Sequence, residues 1–573
     1  MLFQLRRAML PCLMALTLGL TFSKSQAAEP VPSDRLLPPG VLMYVSVPSV
    51  QQFQERYSRT GYGELIHDPA MAEVKAEVMK AIDKASKEIE NEIGITLEDL
   101  YNIPSGEVAF AMTPLKGKEF GGVAFFNFGE HQKQFEVLVD KLDEALKENG
   151  WTRNAESFDG TEIVTWKNAG EGLGSLSYFL KDTTFVASNQ VALLEGALDR
   201  WDGKHNRVFA EDEVYSHVMK RCATRKDGDS AAYWFINPIN LFQSGMQLAA
   251  QQNNGAGMQI GMVTAFLPIL GIDKLRGAGG TIDMSTDEFD IESRTMVYLD
   301  QPVTGVYNFF NCPPAAPAPP AMLSADLASL SSMNWDAAKA YKAVEETVDK
   351  FQGPGMFARL MDQAEESPNG PGLHPKKDFI DLLGGGVYMI QNPPKLDNPE
   401  QPQLTILLGL KNEQRMTEVM AKIADMDGLP IITRDFRGIK IYESEETGSE
   451  VQPAMAVAKG HLIISFDVEM LETLLRNDPG ADSLMKSEQF QQVAKSFPKE
   501  VSTYAFQRTD IMAEGAYEMI RKAAMEQGGN ADFDFSKLPP FDSIRKYFGL
   551  SGGYSVPDEH GVYMVSFGLK PAI

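Results

Sequence analysis

Chemistry needs residues that can ligate, attack or move protons, and this sequence offers few at working spacings. Its histidines are His67, His131, His205, His217, His374, His461 and His560. No two stand four apart on a helix and no H-E-x-x-H occurs, so spacing gives a zinc site no support. A nucleophile elbow needs G-x-S-x-G at a strand-to-helix turn. The nearest string, Gly172-Leu173-Gly174-Ser175-Leu176-Ser177, lacks the last glycine and runs into a strand. Gly384-Gly385-Gly386 lacks the Lys and Ser/Thr of a phosphate loop and precedes a strand, so no helix N-terminus waits for phosphate. It reads as a tight turn or a close backbone approach. Asp227-Gly228-Asp229 lacks the ligand ladder and closing Glu of a calcium loop and reads as a turn. Cys222 ends an apolar-faced helix, which suits a buried structural thiol. A bridge to Cys312 is open to it in an oxidising compartment. No catalytic, cofactor-binding or metal-binding residue is assigned, and no cofactor is expected.

One region could serve recognition instead. Met246, Met258 and Met262 surround a Gln/Asn/Gly stretch, and Met519 and Met525 lie near Gln527-Gly528-Gly529-Asn530 further on. Met-rich surfaces beside Gly hinges adapt to partners or apolar ligands. Core methionines flanking a surface loop would give the same pattern.

The elements that must position such residues recur in order along the chain. Gly106-Glu107-Val108-Ala109-Phe110 answers Gly385-Gly386-Val387-Tyr388-Met389. Phe158-Asp159-Gly160 answers Phe436-Arg437-Gly438. Tyr178 to Asp182 answers Ala456 to Gly460, pairing Lys181 with Lys459. Glu213, Tyr215 and Val218 align with Glu488, Phe490 and Val493, and Tyr233-Trp234-Phe235 with Tyr504-Ala505-Phe506. Arg276, Gly279 and Gly280 match Arg545, Gly552 and Gly553, and Asp99 matches Asp378. The offset drifts only from about 280 to about 270 residues, which predicts two tandem copies. The boundaries that follow are a leader at 1–28, a first repeat at 32–301, a Pro/Ala-rich linker at 302–321 and a second repeat at 322–573. The linker (Asn311 to Ala321, NCPPAAPAPPA) should be extended and semi-rigid.

Within the first copy, Val41 to Val47 reads as a strand. Met71 to Ile93 and Gln132 to Asn149 read as amphipathic helices, and Glu107–Thr113 with Gly122–Phe128 as a hairpin. Strands follow near Glu162–Trp166, Leu176–Lys181, Thr184–Ser188 and Ala231–Ile236, with helices near Val191–Trp201 and Glu213–Cys222. Gly261 to Ile272 is expected to be a buried core helix. Short turns favour antiparallel pairing, since parallel neighbours need long crossovers. The fold class is α+β: an antiparallel sheet with helices packed on it, present twice.

Arg6 and Arg7, the apolar run Ala8 to Phe22 and the small residues Ser25-Gln26-Ala27-Ala28 form a secretory leader, cleaved after Ala27 or Ala28. The address is therefore exported, either periplasmic or at the cell surface. No later stretch is long enough to span a bilayer. The formal charge of −25 becomes −28 once Arg6, Arg7 and Lys24 leave with the leader. Such a surface repels nucleic acid and anionic lipid.

The opening Leu37-Pro38-Pro39-Gly40-Val41-Leu42-Met43-Tyr44-Val45-Ser46-Val47-Pro48 resembles an uncharacterised family of exported, planctomycete-like bacterial proteins. It is known as domain of unknown function 3352. Ser324 to Leu330, Met333-Asn334-Trp335-Asp336 and Lys377 to Gly385 are similar to that family's second half. The resemblance implies a periplasmic or cell-surface address and transfers no activity. The functional expectation is a non-enzymatic binding or scaffold protein of the cell envelope. Its partner would be an unidentified envelope protein or an apolar ligand. Two alternatives stand beside it: a carrier of an apolar ligand, and a hydrolase with a site between the two repeats.

Overall fold

The computed structural model describes residues 31–572 apart from 94–102, 117–118, 169–173, 204–206, 224–229, 253–256, 368–369, 371, 397, 399–400, 427–430, 445–452, 479 and 528–536. The leader, Asp99, the Asp227-Gly228-Asp229 turn and His205 lie outside the described residues. The chain divides into two compact units. The first is Met1–Thr264, Leu275–Tyr298 and Gly529–Leu538; the second is Ala265–Lys274, Leu299–Gly528 and Pro539–Ile573. The Pro/Ala-rich segment thus counts with the second unit.

The first unit's strands are β1 (Met43–Val47), β2 (Val108–Lys116), β3 (Glu119–Asn127), β4 (Thr152–Phe158) and β5 (Thr161–Lys167). They continue with β6 (Ser175–Lys181), β7 (Thr184–Ser188), β8 (Ala232–Ile236), β9 (Leu275–Met284) and β10 (Phe289–Leu299). They lie in the order β10-β9-β8-β1-β2-β3-β7-β6-β5-β4. The second unit's strands are β11 (Ser329–Met333), β12 (Leu383–Gln391), β13 (Leu404–Leu410), β14 (Ile431–Phe436) and β15 (Ile439–Ser444). Then come β16 (Ala454–Ala458), β17 (His461–Ser465), β18 (Thr503–Arg508), β19 (Leu550–Asp558) and β20 (Gly561–Leu569). Their order is β20-β19-β18-β11-β12-β13-β17-β16-β15-β14. Counted from the first strand of each unit, the two orders are the same. The fold class is α+β on antiparallel sheet.

Local chemistry explains why the strands turn where they do. Asp159 and Gly160, at φ 48° and 73°, close the β4–β5 hairpin, and Arg437 and Gly438, at 56° and 82°, close β14–β15. Two successive positive φ angles match the right-handed twist of the flanking strands. Asp182 (φ 53°) turns β6 into β7 and Lys459 (φ 54°) turns β16 into β17. The counterpart of Lys459 is therefore Asp182, and the Lys181–Lys459 pairing expected from sequence is one residue out. Arg276 and Arg545 also part: Arg276 is in β9, whereas Arg545 opens a 3-10 helix ahead of β19.

Helices cover the sheets through apolar stripes. Helix Glu213–Cys222 is capped by Asp212, which accepts from the amides of Val214 and Tyr215, and it buries Val214, Tyr215, Val218 and Cys222. Helix Glu488–Ala494 is capped by Ser487 and buries Phe490 and Val493. Each rests on a strand glycine. A Cβ at Gly279 would stand 3.1 Å from Val218 Cγ1, and one at Gly552 2.3 Å from Val493 Cγ1. Only glycine admits so close an approach. The cores continue around Phe128, Phe135 and Trp166 in the first unit and Met416, Val419 and Tyr442 in the second.

Two expectations need correction, and a third gains a detail. The helix expected to be a core element, Gly257–Leu270, is exposed: Leu267 is buried, but Met262 is 57% and Phe266 37% exposed. Apolar composition on every side does not say which side is covered. The Pro/Ala segment, expected to be an extended and semi-rigid linker, carries one pairing. Ala315, which keeps the N–H its proline neighbours lack, pairs with Val501 in both directions, at 3.0 and 2.8 Å. Cys222 and Cys312 are not bridged: both are thiols. Cys222 is fully buried with its carbonyl bound by Thr281 Oγ1 at 2.9 Å, and the Cys312 carbonyl accepts from Ser502 Oγ at 2.5 Å. Each is held within its own unit.

Candidate functional site

Three adjacent strands of the second unit build the site. Ser332 on β11 stands opposite Tyr388 on β12 and Tyr504 on β18. Directly opposed residues share a face, so three hydroxyls form one row across the sheet. A pocket of about 450 Å³ opens beside this row. Its walls are Pro313, Pro314 and Ala315 of the Pro/Ala segment, Trp335, and the Gly384–Gly386 stretch, with Lys411, Asn334 and Asp336 lining it too; the Asp336 carboxylate accepts from the Lys339 amide and stands 3.7 Å from Lys339 Nζ.

The segment that walls the pocket is pinned from several sides. Beyond the Ala315–Val501 pair, Trp335 Nε1 donates to Phe309 O at 2.7 Å and the Asp336 amide to Asn311 O at 3.1 Å. Asp336 also caps the helix Ala337–Gln352 by accepting from the Lys339 amide. The opposite wall is a β-bulge. The β12–β13 register slips between Leu383 and Val387, so Gly384–Gly386 lie outside the regular ladder. Gly385 sits at φ 85°. A Cβ on Gly384 would be 2.5 Å from Lys411 Cγ, and one on Gly386 2.7 Å from the Tyr388 ring. The triple glycine thus lets two side chains fold flat over backbone, the close approach its sequence implied.

The hydroxyl row is short of acceptors. Tyr504 is 3% exposed, and its buried hydroxyl makes no hydrogen bond. Ser332 is near enough to temper its pKa without meeting hydrogen-bond geometry. Burial, and then the neighbouring Tyr388, push the Tyr504 phenol well above its ordinary pKa. Tyr388 is raised by burial as well, and its hydroxyl reaches Ala318 O only at 3.5 Å. Both phenols are protonated donors near neutrality. Lys411 has no ion pair among the described residues.

The first unit has a polar cluster on the same face. The Glu107 carboxylate accepts from Ser33 N at 2.9 Å, from Ser33 Oγ and Ser46 Oγ at 2.6 Å each, and from Tyr44 OH at 3.4 Å. Burial raises the Glu107 pKa while the two serines oppose the rise. Tyr215 OH donates to Asp34 alongside, at 3.2 Å.

The residues singled out from sequence lie elsewhere. Met246 and Met519 are partly buried on the helices Pro238–Gln252 and Thr509–Gln527, and Met262 is exposed on Gly257–Leu270. The side chains of Met258 and Met525 lie outside the described residues. Met246, Met262 and Met519 do not line the pocket. Tyr388, Tyr504 and Ser332 were not recognised as a group. The available signal was a contrast inside a matched pair of motifs: Glu107 against Gly386.

Fold and site together define an α+β protein on antiparallel sheet with a hydroxyl-lined pocket in its second unit. Residues 353–535 match the family model described as "Protein of unknown function (DUF3352)", a span that includes β12 to β18. The similarity to that family covers this part of the second unit. No curated protein and no solved structure matches.

Proposed function

We propose that this is an exported, non-catalytic binding protein of the cell envelope, made of two tandem copies of one module. The second copy carries the ligand site. The shared strand order and the paired helix-on-glycine contacts support the duplication. The leader pattern at Arg6 to Ala28 supports export. Among the described residues, no helix is long and apolar enough to cross a membrane. The carrying observation is the pocket itself: about 450 Å³ beside a buried Tyr504 hydroxyl without an acceptor. Its lining holds no nucleophile beside a base, which is the arrangement chemistry would need. Native mass spectrometry of freshly purified mature protein tests the reading. Added small-molecule mass should be present on the wild type and absent from Ser332→Leu, which plugs the row. Clean apo mass from both proteins, with turnover in a hydrolase screen, would refute it.

A second reading, carriage of an apolar ligand, has its own support. From Ser230 to Ile272 there is no Asp, Glu, Lys or Arg. Phe242, Met262 and Phe266 are exposed there. A helix apolar all round is ordinarily covered. In the same spectra, lipid-sized adducts lost on Phe242→Ser with Met262→Ser would favour this reading over the pocket.

A further inference from the structure

One position compared between the two units suggests what the pocket takes. In the first unit Ser46 stands opposite Ala109 and Tyr233. In the second, Ser332 stands opposite Tyr388 and Tyr504. The registers therefore place Ser332 where Ser46 is and Tyr388 where Ala109 is. Two residues earlier on that strand, Gly386 occupies the place of Glu107. In the first unit this place holds a carboxylate, bonded by Ser33, Ser46 and Tyr44.

The second unit keeps the serine and deletes the acid. With no side chain at Gly386, the Tyr388 ring swings over the vacated stem: a Cβ there would lie 2.8 Å from the Tyr388 hydroxyl. The polarity of the place is thereby inverted. Where the first unit supplies an acceptor, the second supplies Tyr388, Ser332 and Tyr504 hydroxyls. The Tyr504 hydroxyl has no partner, and Tyr388 has one long bond. Lys411 adds a cation without an ion pair among the described residues, in a chain of net charge −25. A buried donor without an acceptor costs free energy that an anionic acceptor would recover.

We propose, resting on the binding reading above, that the second unit's pocket takes the carboxylate of a small organic acid. The acid's oxygens replace those of Glu107 at the hydroxyl row, and its body lies against Pro313, Pro314 and Trp335.

Calorimetric titration of the full mature chain with benzoate, hexanoate and N-acetylalanine, each beside its amide, tests this. At least one acid should bind, with its amide about tenfold weaker or worse, the loss expected when a charge-assisted bond is removed. Tyr504→Phe should weaken the acid about tenfold and the amide, whose carbonyl accepts only a neutral bond, by less. The pair Gly386→Glu with Tyr388→Ala rebuilds the first unit's Glu107–Ala109 arrangement. It should bind no acid and melt no lower than the wild type. Equal affinity for acid and amide overturns the carboxylate assignment and leaves the binding reading standing. Binding of no probe, with the rebuilt pair melting below the wild type, overturns both.

Discussion

Replacing Glu107 tests how the first unit holds its carboxylate. Glu107→Ala strips the acceptor from the Ser46 hydroxyl and the Ser33 amide, while Ser33 Oγ keeps its 2.9 Å contact with Tyr44 OH. Both serines are 1% exposed, so water cannot substitute. Each orphaned group costs about 1–3 kcal/mol, giving about 2–6 kcal/mol. Relief from burying a carboxyl group offsets part of this, leaving about 3 kcal/mol, or about 6–12 °C in Tm for a unit of this size. Glu107→Gln keeps an oxygen for both serine hydroxyls but turns an NH2 toward the Ser33 amide, so the charge is read from how its deficit changes with pH. The Glu107 pKa is raised in the fold, chiefly by burial. The folded state therefore binds the proton more tightly than the unfolded chain does. Its stability falls as pH rises from the ordinary carboxylate range through the raised value. Glutamine has no such slope, so the deficit of Glu107→Gln should shrink between about pH 5 and about pH 8. Scanning calorimetry of both variants at the two pH values reads this. A deficit that is constant or grows with pH would refute the assignment of a strained, buried acid.

Gly552→Ala should destabilise the second unit by about 1–3 kcal/mol, since its methyl meets Val493 at 2.3 Å. Adding Val493→Ala should cost less than the two single changes summed, and additivity in denaturant titrations would argue against the contact. Burial holds the His461 imidazole below its ordinary pKa, against its bond to Lys459 O and the nearby Glu413. Stability from this residue is present above about pH 6.5 and is lost as pH falls through the lowered value. His461→Gln should flatten that acid limb in melting curves, and an unchanged limb would count against it. Non-reducing peptide mapping should recover Cys222 and Cys312 on separate peptides, and a linked peptide would overturn the thiol assignment.

Much of the scaffold was legible because it depends on local signals. The helix expected near Glu213–Cys222 spans those residues, and its apolar stripe is a local signal. The match of Tyr233-Trp234-Phe235 and Gly279-Gly280 to their later counterparts reproduces the strand register: Phe235 faces Gly279 as Phe506 faces Gly552. The edge strand β4 went unread because Thr152–Phe158 is nearly all exposed and carries no apolar alternation. The exposed Gly257–Leu270 helix was misjudged because composition cannot report whether a neighbour covers it. The pocket was invisible for a different reason. Its residues come from strands distant in sequence, and its defining event is a missing side chain at Gly386, which no search for shared polar positions could reveal.

The position of each unit's first strand has a consequence for how the chain acquires its shape. β1 lies between β2 and β8, and β11 between β12 and β18, so neither gains its second neighbour until Ala232–Ile236 or Thr503–Arg508 has joined the sheet. Pairing across such separations is slow, and the waiting edge is sticky. A chaperone that shields unpaired β1 and β11 would hasten productive folding more than one acting on the late hairpin β19–β20.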